Sequence, residues 1–281
     1  MSNHFRPSQK LVIGVVHLQP LPGAPKWRGV SHVGQRHSRG SLKSVIDHAL
    51  VDARAYERGG VNAVIIENFG DAPFTRAGVG PETIAAMSAA GAAVRAAIKI
   101  PMGFNVLRND ACAALALCAA CGGSFIRVNV HSGAMLTDQG IIEGNAYETV
   151  RYRERICPGA SIFADVHVKH AVPLGDFEIE DSAHDTLERG LADALIISGT
   201  GTGVAADIND VERVRRACPK AKILLGSGIN IDNVGEFLRY ADGVIVGTSL
   251  KIGGKLFNPV DPKRVAALVK AARGESRKLS G

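Results

Sequence analysis

Glu67, Asp165 and His167 are the side chains of this sequence best suited to moving protons. An imidazole titrates near neutrality, and a partly desolvated carboxyl can be raised toward it. One acid and one base set across a substrate would support isomerisation, epimerisation or cleavage of a C–C or C–N bond. Lys169 follows two residues after His167. Buried, it could lose its proton and form a Schiff base; charged, it would hold an anionic substrate. His17, Glu67, Asp165 and His167 are also candidate ligands for a divalent ion, and imidazole with carboxylate suits Zn or Mn. They form no compact ligand motif such as HExxH, so a metal is an option and not a requirement. Each histidine could equally be a structural hydrogen-bonding residue.

A second group of residues points to an anion. Gly201, Thr202 and Gly203 lie in the run SGTGTG at 198–203, Gly226, Ser227 and Gly228 in GSG, and Gly247 and Thr248 in GTS. Glycine lets a backbone approach a ligand closely and adopt unusual φ, so N–H groups can gather around a phosphate. A short helix start would add a favourable dipole. One such turn would be a tight turn and nothing more, whereas three behind neighbouring strands predict binding of phosphate or a phosphate-like group.

These residues need elements to position them. Eight short apolar runs, rich in Val and Ile, fall at 11–17, 61–67, 102–106, 124–130, 161–168, 194–198, 222–226 and 243–247. Nearly continuous hydrophobicity suits parallel strands buried on both faces. Between them the apolar positions recur with helical period, most clearly at 41–58, where Ser41 caps the start and Gly59-Gly60 ends the run. Pro81 opens the next helix. Further helical patterns fall at 110–120, 145–155, 181–189, 207–217, 232–239 and 262–272. Eight β–α repeats predict an α/β fold of the (β/α)₈ TIM-barrel type in a single domain, 11–273, with tails at 1–10 and 274–281. The first strand runs into HLQPLPGAP and not into a Gly-rich dinucleotide fingerprint, which argues against a doubly wound sheet and against a nucleotide cofactor. The long loop at 18–40, with the only Trp, could form a lid over the C-terminal face.

Barrel chemistry sits at the C-terminal strand ends. Those ends carry His17, Glu67, Asn105, then Arg127, Asn129 and His131, then Asp165, His167 and Lys169. Side chains two apart share a face. Strict alternation therefore sends Arg127, Asn129 and His131, and likewise Asp165, His167 and Lys169, into the mouth, with the valines between them facing the helices. His17, Asn105, Arg127, Asn129 and His131 are accordingly expected to bind substrate. Buried charges are costly unless paired, so these groups serve one another or a ligand.

Composition sets limits. The 281 residues are 46% hydrophobic and carry a net charge of +6 from 33 basic and 27 acidic residues, mixed along the chain. Basic clusters occur at 32–39, 151–155 and 273–278, but aromatics do not interleave with them, so a nucleic-acid surface is not expected. No apolar run approaches the roughly 20 residues of a spanning helix. The polar N-terminus resembles no signal peptide, and five cysteines fit a reducing cytosol, so a cytoplasmic location is expected. Cys118 and Cys121 match C-x-x-C but read as small buried residues of an Ala-rich helix. The sequence GVGPE at 78–82 is a turn and helix start. Association into a homo-oligomer is expected, since barrels frequently pair.

The motifs LVIGVVHLQPLPGAP, VNAVIIENFGDAPF, IKIPMGFNVLRND, FIRVNVHSGAMLTDQGIIEG, FADVHVKHA, LIISGTGTG and ADGVIVGTSLK resemble the BtpA/SgcQ family, in order and over about 11–272. The resemblance implies a barrel of the ribulose-phosphate-binding type. The family's best-known label is photosystem I biogenesis, and many members come from non-photosynthetic organisms. The last third is also similar to the phosphate-binding half of the tryptophan synthase α subunit, in which a strand-two carboxylate, the place of Glu67, is catalytic. Two functions follow. One is an enzyme acting on a phosphorylated sugar or nucleoside-like metabolite by lyase, aldolase or isomerase chemistry. The other is a non-catalytic assembly or stability factor for a protein complex.

Overall fold

A computed structural model describes residues 10–28, 41–201 and 203–279. In chain order the elements are β1 (Leu11–His17), α1 (Leu42–Gly59), β2 (Ala63–Glu67), α2 (Pro81–Ala97), β3 (Met102–Asn105), α3 (Ala111–Cys121), β4 (Phe125–Val128), β5 (Ala134–Thr137), β6 (Gly140–Glu143) and α4 (Ala146–Ile156). They continue as β7 (Ser161–Val166), β8 (Ala171–Pro173), α5 (Ile179–His184), β9 (Ala194–Ile197), α6 (Ile208–Ala217), β10 (Ile223–Leu225), α7 (Val234–Phe237), β11 (Gly243–Val246) and α8 (Pro262–Leu279).

Eight parallel strands close into a barrel in the order β1-β11-β10-β9-β7-β4-β3-β2. Closure is made by β1, which pairs with both β11 and β2. This is the (β/α)₈ TIM-barrel class. The strand alternation divides the apolar residues into two layers. Ile13, Val15, Ile65, Phe125, Phe163, Ile196, Leu224 and Ile245 fill the barrel interior, where the Phe125 and Phe163 rings stack at 4.9 Å between centroids. Val12, Val16, Val64, Ile66, Val128 and Val166 pack outward against the helices. Local signals fix the helix ends: Ser41 Oγ accepts the Ser44 N–H, Gly60 closes α1 at φ +87°, and Asp110 caps α3 before Gly122 ends it at φ +69°.

Three features depart from the sequence expectations. A three-stranded antiparallel sheet, β6-β5-β8, sits apart from the barrel. Its strands are only three or four residues long, too short to show a period. α7 is a single turn because Asn230 Oδ1 accepts the N–H groups of Asp232 and Asn233, holding a turn where a helix is expected. α8 runs to Leu279, through residues expected as a tail; Glu, Arg, Lys and Leu are good helix formers and carry it on past Gly274. The central part of the expected lid, 29–40, with its basic cluster, lies outside the described residues. No helix among the described residues is long and apolar enough to cross a membrane.

Candidate functional site

Inward-facing positions turn from apolar to polar at the C-terminal end of the barrel. Arg127 stands one inward step beyond Phe125, Asp165 beyond Phe163, Glu67 beyond Ile65 and His17 beyond Val15. Register places His17 beside Glu67 and Glu67 beside Asn105. The strand order therefore sets the rim: Glu67, His17, Gly247, Gly226, Ser198, Asp165, Arg127, Asn105.

Asp165 is fully engaged. Its carboxylate accepts Arg127 Nε and Nη2, both at 2.8 Å, Asn129 Nδ2 at 3.1 Å and Ser198 Oγ at 3.0 Å. Asn105 Nδ2 continues the network to Asn129 Oδ1 and to the Arg127 carbonyl. A bidentate arginine pair is the strongest common form of such contact. Asp165 thus fixes Arg127 and Asn129, and it is not free for the acid–base role the sequence suggested. Glu67 differs: it is buried, yet its carboxylate takes no hydrogen bond from a described residue. Lys169 faces the same space, with its ammonium free of hydrogen bonds to described residues. Burial and the nearby Arg127 pull the Lys169 ammonium below its ordinary value, against the attraction of Glu67 and Asp165. Burial, followed by Lys251, Lys169 and Arg127, holds His17 well below the ordinary imidazole value. His17 is therefore neutral at pH 7, and its buried Nδ1 has no partner among the described residues.

Two histidines lie elsewhere. β4 ends at Val128 and β7 at Val166, so the alternation does not reach them. His131 Nε2 bonds the Gly190 carbonyl at 2.7 Å. His167 adopts φ +50° and meets Ser182 Oγ at 3.0 Å, in a separate pocket of about 100 Å³. Among the described residues no group of three or more His, Cys, Asp or Glu is arranged to hold a metal ion. The four candidate ligands are not gathered: His17 and Glu67 adjoin, Asp165 is paired, and His167 lies apart.

The main cavity is about 510 Å³ and joins the glycine turns to His17, Glu67, Arg127 and Lys169. Gly203, Gly226, Ser227, Gly228, Gly247 and Thr248 all line it. Gly201 shapes its loop by accepting the Val204 N–H, and Thr202 lies outside the described residues. Side chains would not fit here: a Cβ on Gly228, at φ +68°, would come within 2.1 Å of the Ala205 nitrogen, and one on Gly247 within 2.5 Å of His17 Cε1. Ser227 Oγ is structural, accepting the Gly199 N–H and donating to the Val204 carbonyl. The Gly226 N–H is given to Ile197. The N–H groups of Gly228, Ile229, Thr248 and Ser249 have no acceptor among the described residues. Ser249 Oγ donates to the Ile229 carbonyl at 2.6 Å, which ties the two turns together.

One residue of the candidate site escaped the sequence reading. Arg108, in the loop after β3, is only 3% exposed. It lines an adjoining cavity of about 160 Å³ together with Glu67, Arg127 and Lys169. The signal was the basic residue in FNVLRND, three positions past the strand end. Cys118 and Cys121 are buried, as expected.

These features define a (β/α)₈ barrel with ionisable groups on one arc of its mouth and, on the other, amides without an acceptor among the described residues. The BtpA family model matches residues 8–274, and the chain belongs to that family. It is 44% identical to the photosystem I biogenesis protein BtpA of Synechocystis, over 92% of this chain and 87% of that protein. It is 34% identical to the putative sgc region protein SgcQ of Escherichia coli, over 92% of each. Among solved structures, tryptophan synthase from Mycobacterium tuberculosis is similar in fold, with a TM-score of 0.59 and 15% identity, covering 95% of this chain and 93% of that one.

Proposed function

We propose that the mouth binds a phosphorylated small molecule, a sugar or nucleoside-like metabolite, and that Glu67 moves a proton on its carbon skeleton. The observation that carries this reading is a single cavity lined both by the β10 and β11 turns, whose Gly228, Ile229, Thr248 and Ser249 N–H groups have no acceptor among the described residues, and by Glu67 and Lys169, whose charged ends have no hydrogen-bond partner among them. Barrels commonly bind phosphate after these two strands. With phosphate there, the carbon chain extends toward Glu67. The Glu67 carboxylate takes a proton from a carbon next to a carbonyl, and the C–H electron pair moves onto the carbonyl oxygen. The Lys169 ammonium stabilises that oxygen. Returning the proton to the former carbonyl carbon, while the neighbouring hydroxyl passes its proton to the enolate oxygen, gives an isomerase; expelling a leaving group from the next carbon gives a lyase. In an aldolase Glu67 would instead take the proton of the hydroxyl two carbons from the carbonyl, and the C–C electron pair would move toward the carbonyl as the bond breaks.

A thermal-shift screen of phosphorylated sugars and nucleosides, with and without divalent metals, tests it. A ligand of the native state raises the midpoint. Glu67→Gln is expected to keep the shift and lose turnover. Absence of a shift with every phosphate compound would remove the reading.

A second reading, a partner-binding assembly factor, is favoured by one feature. Ile141, Leu136 and Val172 lie in cross-strand register on the small sheet and are all exposed. On that reading Glu67→Gln leaves the function intact, and charged substitutions at Leu136 abolish it.

A further inference from the structure

We infer that the mouth holds a second anion subsite, built around Arg108, which takes a carboxylate at the end of the substrate opposite its phosphate. Only the span between the two ends rests on the phosphate reading; the Arg108 pocket stands by itself.

The strand order is the first support. In the closed ring, β10 and β11 lie diametrically across from β3 and β4. The amides of the Gly228 and Thr248 turns follow the first pair. Arg108 follows β3, on the far side. Glu67 from β2 and Lys169 from the loop after β7 flank the space between, and both line the two adjoining cavities.

The state of Arg108 is the second. Its guanidinium makes one hydrogen bond to a described residue, from Nη2 to the Lys169 carbonyl, and its buried Nε has no partner among them. No carboxylate among the described residues pairs with it, whereas the neighbouring Arg127 is paired with Asp165. The loop that presents it is held in place: Asn68 Oδ1 accepts the Leu107 N–H at 2.8 Å, and the Arg108 N–H goes to the Thr75 carbonyl. A buried, unpaired cation in a fixed loop is costly unless a ligand supplies the counter-charge.

Charge and size choose the ligand. The Arg108 cavity, about 160 Å³, is bordered by Glu67 and Asp138. With Arg127 already paired to Asp165, these two acids offset Arg108 and Lys169 on the same wall, which disfavours a second dianionic phosphate and leaves room for a monoanion. The planar fork of arginine matches a carboxylate. Asn105 Oδ1, a buried acceptor on the same wall with no partner among the described residues, would accept a hydroxyl beside it. The substrate class is then a phosphorylated acid with phosphate and carboxylate at opposite ends.

Isothermal titration of the full chain with carboxyalkyl phosphates of increasing length tests this, each compared with the alkyl phosphate lacking the carboxylate. At one length the carboxylate is expected to tighten binding about tenfold, the scale of one charge-assisted contact. Arg108→Met should erase that gain and leave alkyl phosphate affinity unchanged, while Arg108→Lys should recover part of it. A carboxylate that helps at no length, or a gain that survives Arg108→Met, overturns the subsite while leaving the phosphate cradle standing. A bisphosphate bound as tightly as the carboxylate compound overturns the choice of anion. If no alkyl phosphate binds, the phosphate reading fails instead. Butyrate then decides the subsite: binding lost in Arg108→Met upholds it, and no binding to the native chain overturns it.

Discussion

At the scale of single residues, Asp165 and Glu67 show how two buried carboxylates in one mouth take different work. Asp165 accepts four hydrogen bonds and neutralises Arg127. Glu67 accepts none from a described residue and faces open space. Removing one partner of a buried pair leaves the other charge uncompensated, which costs about 3–5 kcal/mol. Asp165→Asn is therefore expected to lower unfolding stability by that order in urea titrations. Glu67→Gln should sit close to the unsubstituted chain in the same titrations. The sequence named both residues as proton movers. It could not separate them, because the partners that saturate Asp165 include Arg127 of β4 and Ser198 just past β9, 38 and 33 positions away in the chain.

At the scale of elements, the sequence foretold the eight barrel strands and most helix ends, because buried parallel strands are short continuous apolar runs and caps are local chemistry. Past the end of a strand alternation was no sure guide: Asn129 and Lys169 still reach the mouth, whereas His131 and His167 do not. His131 lies beyond Val128 and His167 beyond Val166, outside the ladder that fixes facing. Residue pairs on β5, β6 and β8 are legible only in three dimensions, since Leu136 meets Val172 across 36 positions. The glycine turns were legible because their requirement is steric. At Gly228 both the positive φ and the Ala205 backbone exclude a side chain. Gly228→Ala is expected to displace the turn, weaken binding of phosphorylated ligands at least tenfold and destabilise the chain by about 1–3 kcal/mol, within the usual range for strained backbone positions. Calorimetric titration and denaturant unfolding together check both halves.

At the scale of the whole molecule, closure of the barrel is what makes a site. It brings β11 next to β1, so Gly247 comes against His17, and His17 stands beside Glu67. In an open sheet the glycine turns of the last strands and the carboxylate of the second would lie at opposite edges. Closure also assembles polar groups at the C-terminal rim over a dry interior of Ile, Leu, Val and Phe. That layering keeps Arg127 and Lys169 in surroundings where charge is strong and has to be answered. The most direct test is a crystal structure of the chain soaked with a phosphorylated sugar. The expected result is phosphate oxygens within hydrogen-bonding distance of the Gly228 and Thr248 nitrogens, and a sugar carbon within reach of Glu67. Phosphate bound elsewhere on the surface, with the cradle amides unchanged, would contradict it.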